Sequence, residues 1–186
     1  MRSILPLFAF AFASTSVMAA EVVPVSPFQS LELRGGGEVQ LRRGSVQRVT
    51  IVNGSSQFTT VRVLNDGKLR IDACNARCPQ HYDLRIVVES PSVPVLAIQG
   101  GGTIDAVPGF PQQRELTLAV NGGGKIDTRS VAVDAVTAAV NGGGEIKVGA
   151  RRELTAAISG GGMVRYWGDP AVTTVVDGGG TVLRGG

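Results

Sequence analysis

Over residues 95–184 aliphatic and polar positions alternate, and three consecutive glycines interrupt the alternation at regular intervals. Leu116-Thr117-Leu118-Ala119-Val120-Asn121, Val136-Thr137-Ala138-Ala139-Val140-Asn141 and Leu154-Thr155-Ala156-Ala157-Ile158-Ser159 each lead up to such a triplet. A period of two sends successive side chains to opposite faces, as in a β-strand. No part of residues 21–186 carries a convincing helical period. The pattern predicts an all-β chain.

The triplets begin at Gly35, Gly100, Gly122, Gly142, Gly160 and Gly178, and the last five lie 22, 20, 18 and 18 residues apart. Aligned on them, the chain falls into columns. Two positions before each triplet stand Leu33, Ile98, Val120, Val140, Ile158 and Val176. Two positions beyond its end stand Val39, Ile104, Ile126, Ile146, Val164 and Val182. Both columns are wholly aliphatic, whereas the residue just before each triplet is polar or charged. Self-similarity at this period predicts a stacked-repeat fold, here a single-stranded β-helix or solenoid. Each coil reads strand, Gly-Gly-Gly corner, strand, turn. Stacking fuses the aliphatic columns into one core, to which each inward Ile or Val contributes about 1.5–3 kcal/mol. Four positions before the triplets the column runs Leu96, Leu118, Ala138, Ala156, Thr174, so the core is expected to thin toward the C-terminal end.

Residues 21–90 are less regular but still β in pattern, with period-two segments at 28–33, 46–52, 58–64, 67–72 and 82–88. Asn65-Asp66-Gly67 is a hairpin-turn signal between the third and fourth of these. This stretch is expected to form the irregular N-terminal coils of a single domain over 21–186 and to cover its open N-terminal end.

Residues 1–20 have the organisation of a signal peptide. Arg2 supplies the positive charge, residues 4–12 are apolar, and Val17-Met18-Ala19-Ala20 offers a small-residue cleavage site. The apolar run is too short to span a membrane. The expectation is an exported protein of the periplasm, the cell surface or the medium, not an integral membrane protein. The formal net charge is +3 with 18 basic and 15 acidic residues, and +2 once Arg2 is removed. The basic residues are scattered, which excludes the concentrated footprint a nucleic-acid binder needs.

Candidate chemistry is sparse, and no cofactor is implied. Cys74 and Cys78 flank a short loop, and in an exported chain two cysteines favour a disulfide. Free thiols, or a zinc site with His81, are the alternatives. His81 is the only histidine, and no nucleophile elbow accompanies it. Gly122-Gly123-Gly124-Lys125 lacks the Ser or Thr and the helix of a phosphate-binding loop. Asp105 and Asp127 share a column and would lie side by side on adjacent strands, about 4.8 Å apart. Paired carboxylates serve polysaccharide cleavage, but Lys147 and Arg165 continue the column, which reads as charge balancing. Thr117, Thr137, Thr155 and Thr173 line up outward beside an alanine column, a candidate contact surface. Tyr166 and Trp167 are adjacent and point to opposite sides of a strand, so one is expected inside and one exposed. An exposed aromatic there is a candidate sugar-stacking or protein-contact point.

The order of these features resembles the "putative auto-transporter adhesin, head GIN domain" family of bacterial envelope proteins. The residues that carry the resemblance are Phe28-Gln29-Ser30-Leu31-Glu32-Leu33, the hairpin Val63-Leu64-Asn65-Asp66-Gly67-Lys68-Leu69-Arg70-Ile71, and the strand-plus-proline segment 84–91. The Gly-Gly-Gly-x-Ile repeats and Tyr166-Trp167-Gly168-Asp169-Pro170 complete it. The resemblance implies a β-helix-like domain exported to the cell envelope. Full triplets where relatives have Gly-Ser-Gly, and the cysteine pair, are departures that leave the fold unaffected. The functional expectation is a non-enzymatic protein with an adhesin-like or scaffolding role. The alternative is a carbohydrate-binding module of the periplasm or cell surface. The expected partners are an envelope protein, a glycan, or a second copy meeting the final strand 181–184 or the Ala/Thr face.

Overall fold

The computed structural model describes residues 20–75 and 78–186. Apart from Ala20, the signal peptide expected at 1–20 lies outside the described residues. The described chain is all-β, with no helix, and its strands belong to one 15-stranded sheet. In chain order they are β1 (Glu21–Val23), β2 (Ser30–Gly35), β3 (Glu38–Arg43), β4 (Arg48–Asn53), β5 (Thr60–Val63), β6 (Lys68–Asp72), β7 (Arg85–Ser90) and β8 (Val95–Gly100). There follow β9 (Thr103–Ala106), β10 (Gln113–Gly122), β11 (Lys125–Gly142), β12 (Glu145–Ser159), β13 (Met163–Trp167), β14 (Ala171–Asp177) and β15 (Thr181–Arg184).

Two parallel ladders run through the sheet. One contains β6, β2, β8, β10, the C-terminal parts of β11 and β12, and β14. The other contains β7, β3, β9, the N-terminal parts of β11 and β12, then β13 and β15. A strand of the first ladder leads through a glycine triplet into a strand of the second. Within each ladder like residues oppose like. Ile126 faces both Ile104 and Ile146, and Val140 faces both Val120 and Ile158. Ile104, Ile126 and Ile146 are all fully buried.

The triplets show why glycine recurs there. The first glycine of all six has positive φ, between 92° and 123°. At Gly142 a Cβ would also stand 2.8 Å from the carbonyl oxygen of Gly122 on the neighbouring strand. Gly143 N–H donates to that same oxygen at 3.0 Å, so the two triplets must approach this closely to complete the ladder.

Opposite the triplets, the expected turn between coils takes a different form. β11 and β12 run on through it without a break, 18 and 15 residues long, with register shifts between Thr128 and Val133 and between Val133 and Ala135. Bulges bend a strand while keeping most of its pairing. Buried Val131, Val133 and Ala150 fill the inside of the bend.

The N-terminal stretch is ordered differently in space than in sequence. β2 and β3 do not form the outermost rung. β2 lies between β6 and β8, and β3 lies between β7 and β9. The chain starts one rung in, leaves, and returns as β6 and β7 to lay the outer rung. In that rung the corner is the loop of residues 73–84 and not a triplet. Ala73 N–H bonds Arg34 at 2.9 Å, and Leu84 accepts from Glu38 N–H at 2.8 Å. The segment 57–59 covers it, with Phe58 O accepting from Asn75 N–H at 2.8 Å and Thr59 Oγ1 donating to Ala73 O at 3.0 Å. Antiparallel strands close this end, with β5 on β6, β4 on β7 and β1 on β4. The β5–β6 hairpin turns at Asn65-Asp66-Gly67, where Leu64 N–H reaches Lys68 O at 2.9 Å. At the other end β14 is exposed throughout, and Val172 and Val176 in its inward columns remain 39% and 43% accessible.

Candidate functional site

Each ladder has one face in the core and one outside, and the two outer faces differ in chemistry. On the first ladder Thr117, Thr137, Thr155 and Thr173 oppose one another in register, and Ala97, Ala119, Ala139 and Ala157 do the same two residues on. All four threonines are exposed. The face carries charge at its N-terminal side, where Lys68 Nζ and Arg70 Nε stand 3.8 and 3.6 Å from the buried Glu32 carboxylate. Beyond that its charges are Glu115 and Glu153, two positions before the threonines, and the threonine and alanine columns themselves are neutral and built of small side chains.

The outer face of the second ladder is polar and charged. Arg85 Nε reaches Glu38 at 2.8 Å, and Glu145 pairs with both Lys125 and Lys147 at 3.5 and 3.4 Å. Lys125, which follows a triplet, is thus engaged by a carboxylate, and a strand follows it. Asp105 and Asp127 are register partners. Their roles diverge at once, because Arg129 grips Asp127 with two nitrogens, Nη2 at 2.7 Å and Nε at 3.0 Å. Asp105 has no hydrogen bond and no salt bridge among the described residues. Partial desolvation at this wall, and then the neighbouring Asp127 charge, push the Asp105 carboxyl above its ordinary value.

These residues line an open groove of about 560 Å³ that also takes in Ala106, Pro108, Ser130 and Trp167. The Arg129 guanidinium lies 4.9 Å from the Trp167 ring centroid. Gly149, the register partner of Trp167, lies close under the β11 backbone, where a Cβ would stand 3.1 Å from the carbonyl oxygens of Arg129 and Val131. Ser130 Oγ donates to Ala106 O at 2.6 Å and ties the groove's floor together. Trp167 is half-buried, lies against Gly185, and donates its indole N–H to Gly186 O at 3.1 Å. It is a wall of the groove, not a free stacking platform. Tyr166 packs on the core from the other side of the strand.

The remaining candidates lie elsewhere. Cys74 and Cys78 are joined in a disulfide, with Cα atoms 5.6 Å apart, in the corner loop of the outer rung. His81 is exposed nearby. Among the described residues no group of three His, Cys, Asp or Glu side chains is placed to hold a metal ion. No helix among them is long and apolar enough to cross a membrane.

Sequence reasoning paired Asp105 with Asp127 but did not connect them with Trp167, and it passed over Arg129 and Ser130 as groove residues. A signal was available. Arg129, Gly149 and Trp167 stand at the same position past successive triplets, a long cation and an aromatic separated by a gap.

Comparison with known proteins finds a family model and similar solved structures. The model of the family described as "putative auto-transporter adhesin, head GIN domain" matches residues 27–109 and 110–170. A solved structure described as a putative adhesin from Bacteroides fragilis is similar at 17% identity, with a TM-score of 0.50, covering 89% of this chain and 96% of that one. A putative adhesin from Parabacteroides merdae is similar at 14% identity and a TM-score of 0.37, covering 90% and 96%. A putative cell adhesion protein from Clostridium sporogenes is similar at 10% identity and a TM-score of 0.40, covering 89% and 97%. No curated protein matches the chain.

Proposed function

The chain belongs to the "putative auto-transporter adhesin, head GIN domain" family, whose model spans most of it, and from that membership we propose a non-enzymatic, exported β-solenoid with an adhesin-like or scaffolding role in the bacterial cell envelope. In this reading residues 1–20 are a cleaved signal peptide. Residues 21–186 form one solenoid domain with 21–90 as its irregular N-terminal coils, and the six triplets are its corners. A solenoid holds its shape through nearest-neighbour stacking and offers long faces in place of a deep cleft.

The observation that carries the proposal is the register of the outward columns. Thr117, Thr137, Thr155 and Thr173 repeat at the strand spacing with alanine beside them. Such a face holds its geometry without a ligand, and so loses little entropy when a partner docks. The carboxylate pair supports contact over chemistry, because Asp127 is occupied by Arg129 and both acids project from the same side of one ladder.

Retention of the purified mature protein on an envelope fraction tests this. Thr137→Lys with Ala157→Lys, which sets two charges into the flat face, is expected to lower retention about tenfold or more. Gln40→Lys on the second ladder is the control. Retention that is unchanged in the double variant, or lost equally in the control, would contradict the reading.

A further inference from the structure

The groove on the second ladder is not used by the threonine face, and its chemistry is specific. We propose that the groove running from Asp105 to Trp167 is a binding site for a neutral saccharide chain. Its volume of about 560 Å³ falls in the roughly 300–1,000 Å³ range of small-ligand sites. It is open along its length, so a chain need not end there.

The lining selects the ligand class. Asp105 presents a carboxylate without a partner, able to accept from two neighbouring hydroxyls. Next to it the Asp127–Arg129 pair is held in one orientation by its two-nitrogen contact, so the guanidinium hydrogens that face away from Asp127 are fixed in direction. Hydroxyls both donate and accept, and this wall offers acceptors beside donors. Ala106 and Pro108 add an apolar patch on which the C–H face of a sugar ring rests, with Trp167 closing the wall beside it.

Charge argues against an anionic occupant. Asp127 is paired with Arg129 and Lys125 with Glu145, so Asp105 keeps an uncompensated carboxylate in the groove. An anionic ligand would meet that charge, whereas a polyol with no net charge donates its hydroxyls to it.

The inference concerns a different face from the envelope-contact reading and stands or falls separately. Trp167 is the only tryptophan in the chain, so its fluorescence reports the groove directly. The mature protein is titrated with cellohexaose, xylohexaose, maltohexaose and chitohexaose, and with polygalacturonate as the charged comparison. At least one neutral hexasaccharide is expected to give a saturable change below about 10 mM, weakened about tenfold or more by Asp105→Ala. The Thr137→Lys, Ala157→Lys variant is expected to bind it as the parent does. No saturable response to any neutral sugar, a response to polygalacturonate alone, or equal affinity in Asp105→Ala would overturn the proposal. None of these outcomes would alter envelope retention through the threonine face.

Discussion

Within one triplet, three residues that look alike in the sequence do different work. Gly142 has φ of +113°, and a Cβ there would press on the carbonyl of Gly122, whereas a Cβ on Gly143 would meet nothing within 4 Å. Gly142→Ala is therefore expected to cost about 1–3 kcal/mol. Gly143→Ala is expected to change stability by less than about 0.5 kcal/mol. Thermal unfolding of the two variants reads the contrast directly, and equal shifts would contradict the corner geometry. Sequence alone shows that the triplet recurs, but only the approach of the next strand distinguishes its members. Asp105 gives a second test at this scale. Its carboxyl holds its proton more tightly when folded than when unfolded. As pH rises through the ordinary carboxylate range, the unfolded state therefore loses its proton first, and Asp105 then works against folding. Asp105→Asn is expected to raise the melting temperature slightly at pH 7, with the gain fading as pH falls below that range. A gain that grows on acidification would contradict the assignment.

Strands share one hydrophobic code, and its payoff depends on the rung each occupies. Ile126 is fully buried with a register partner on both sides, and Val176 is 43% accessible with a partner on one side only. Ile126→Ala is expected to cost about 2–5 kcal/mol and Val176→Ala less than about 1 kcal/mol, by denaturant titration. The aliphatic columns predicted both residues as core. The thinning of the inward column from Leu96 to Thr174 pointed to a weaker C-terminal end, but not to how far each side chain there is exposed. β14 and β15 each have a single partner strand among the described residues, and β14 carries no lysine or proline to guard its free edge. If a second copy is a partner, sedimentation of the mature protein will show association that rises with concentration and falls in Val175→Lys. Purely monomeric behaviour at high concentration would remove self-association from the proposed roles. The disulfide acts locally. It closes a loop so short that its contribution is about 2 kcal/mol. The Cys74→Ser, Cys78→Ser variant is accordingly expected to stay folded at lower stability.

For the molecule as a whole, the alternation of aliphatic and polar positions made the all-β class and the inward columns legible in the sequence. The path of the N-terminal chain was not legible. Leu31 and Leu33 are flanked by Leu69 and Ile71 on one side and by Leu96 and Ile98 on the other. Aliphatic columns look the same in whichever order the rungs are stacked, so the pattern specifies the faces and leaves the order open. The groove was hidden for a related reason. Its strand residues come from β9, β11 and β13, and β12 lies between the last two. The stack itself admits a direct test by paired cysteines. Thr137→Cys with Thr155→Cys sets the two thiols on register partners, within the 4.4–6.8 Å Cα separation a disulfide allows. Thr137→Cys with Ala157→Cys displaces them by two residues, to about 8 Å. Mild oxidation is expected to cross-link the first pair and spare the second, and cross-linking of the displaced pair in preference would contradict the stacked architecture on which both functional proposals rest.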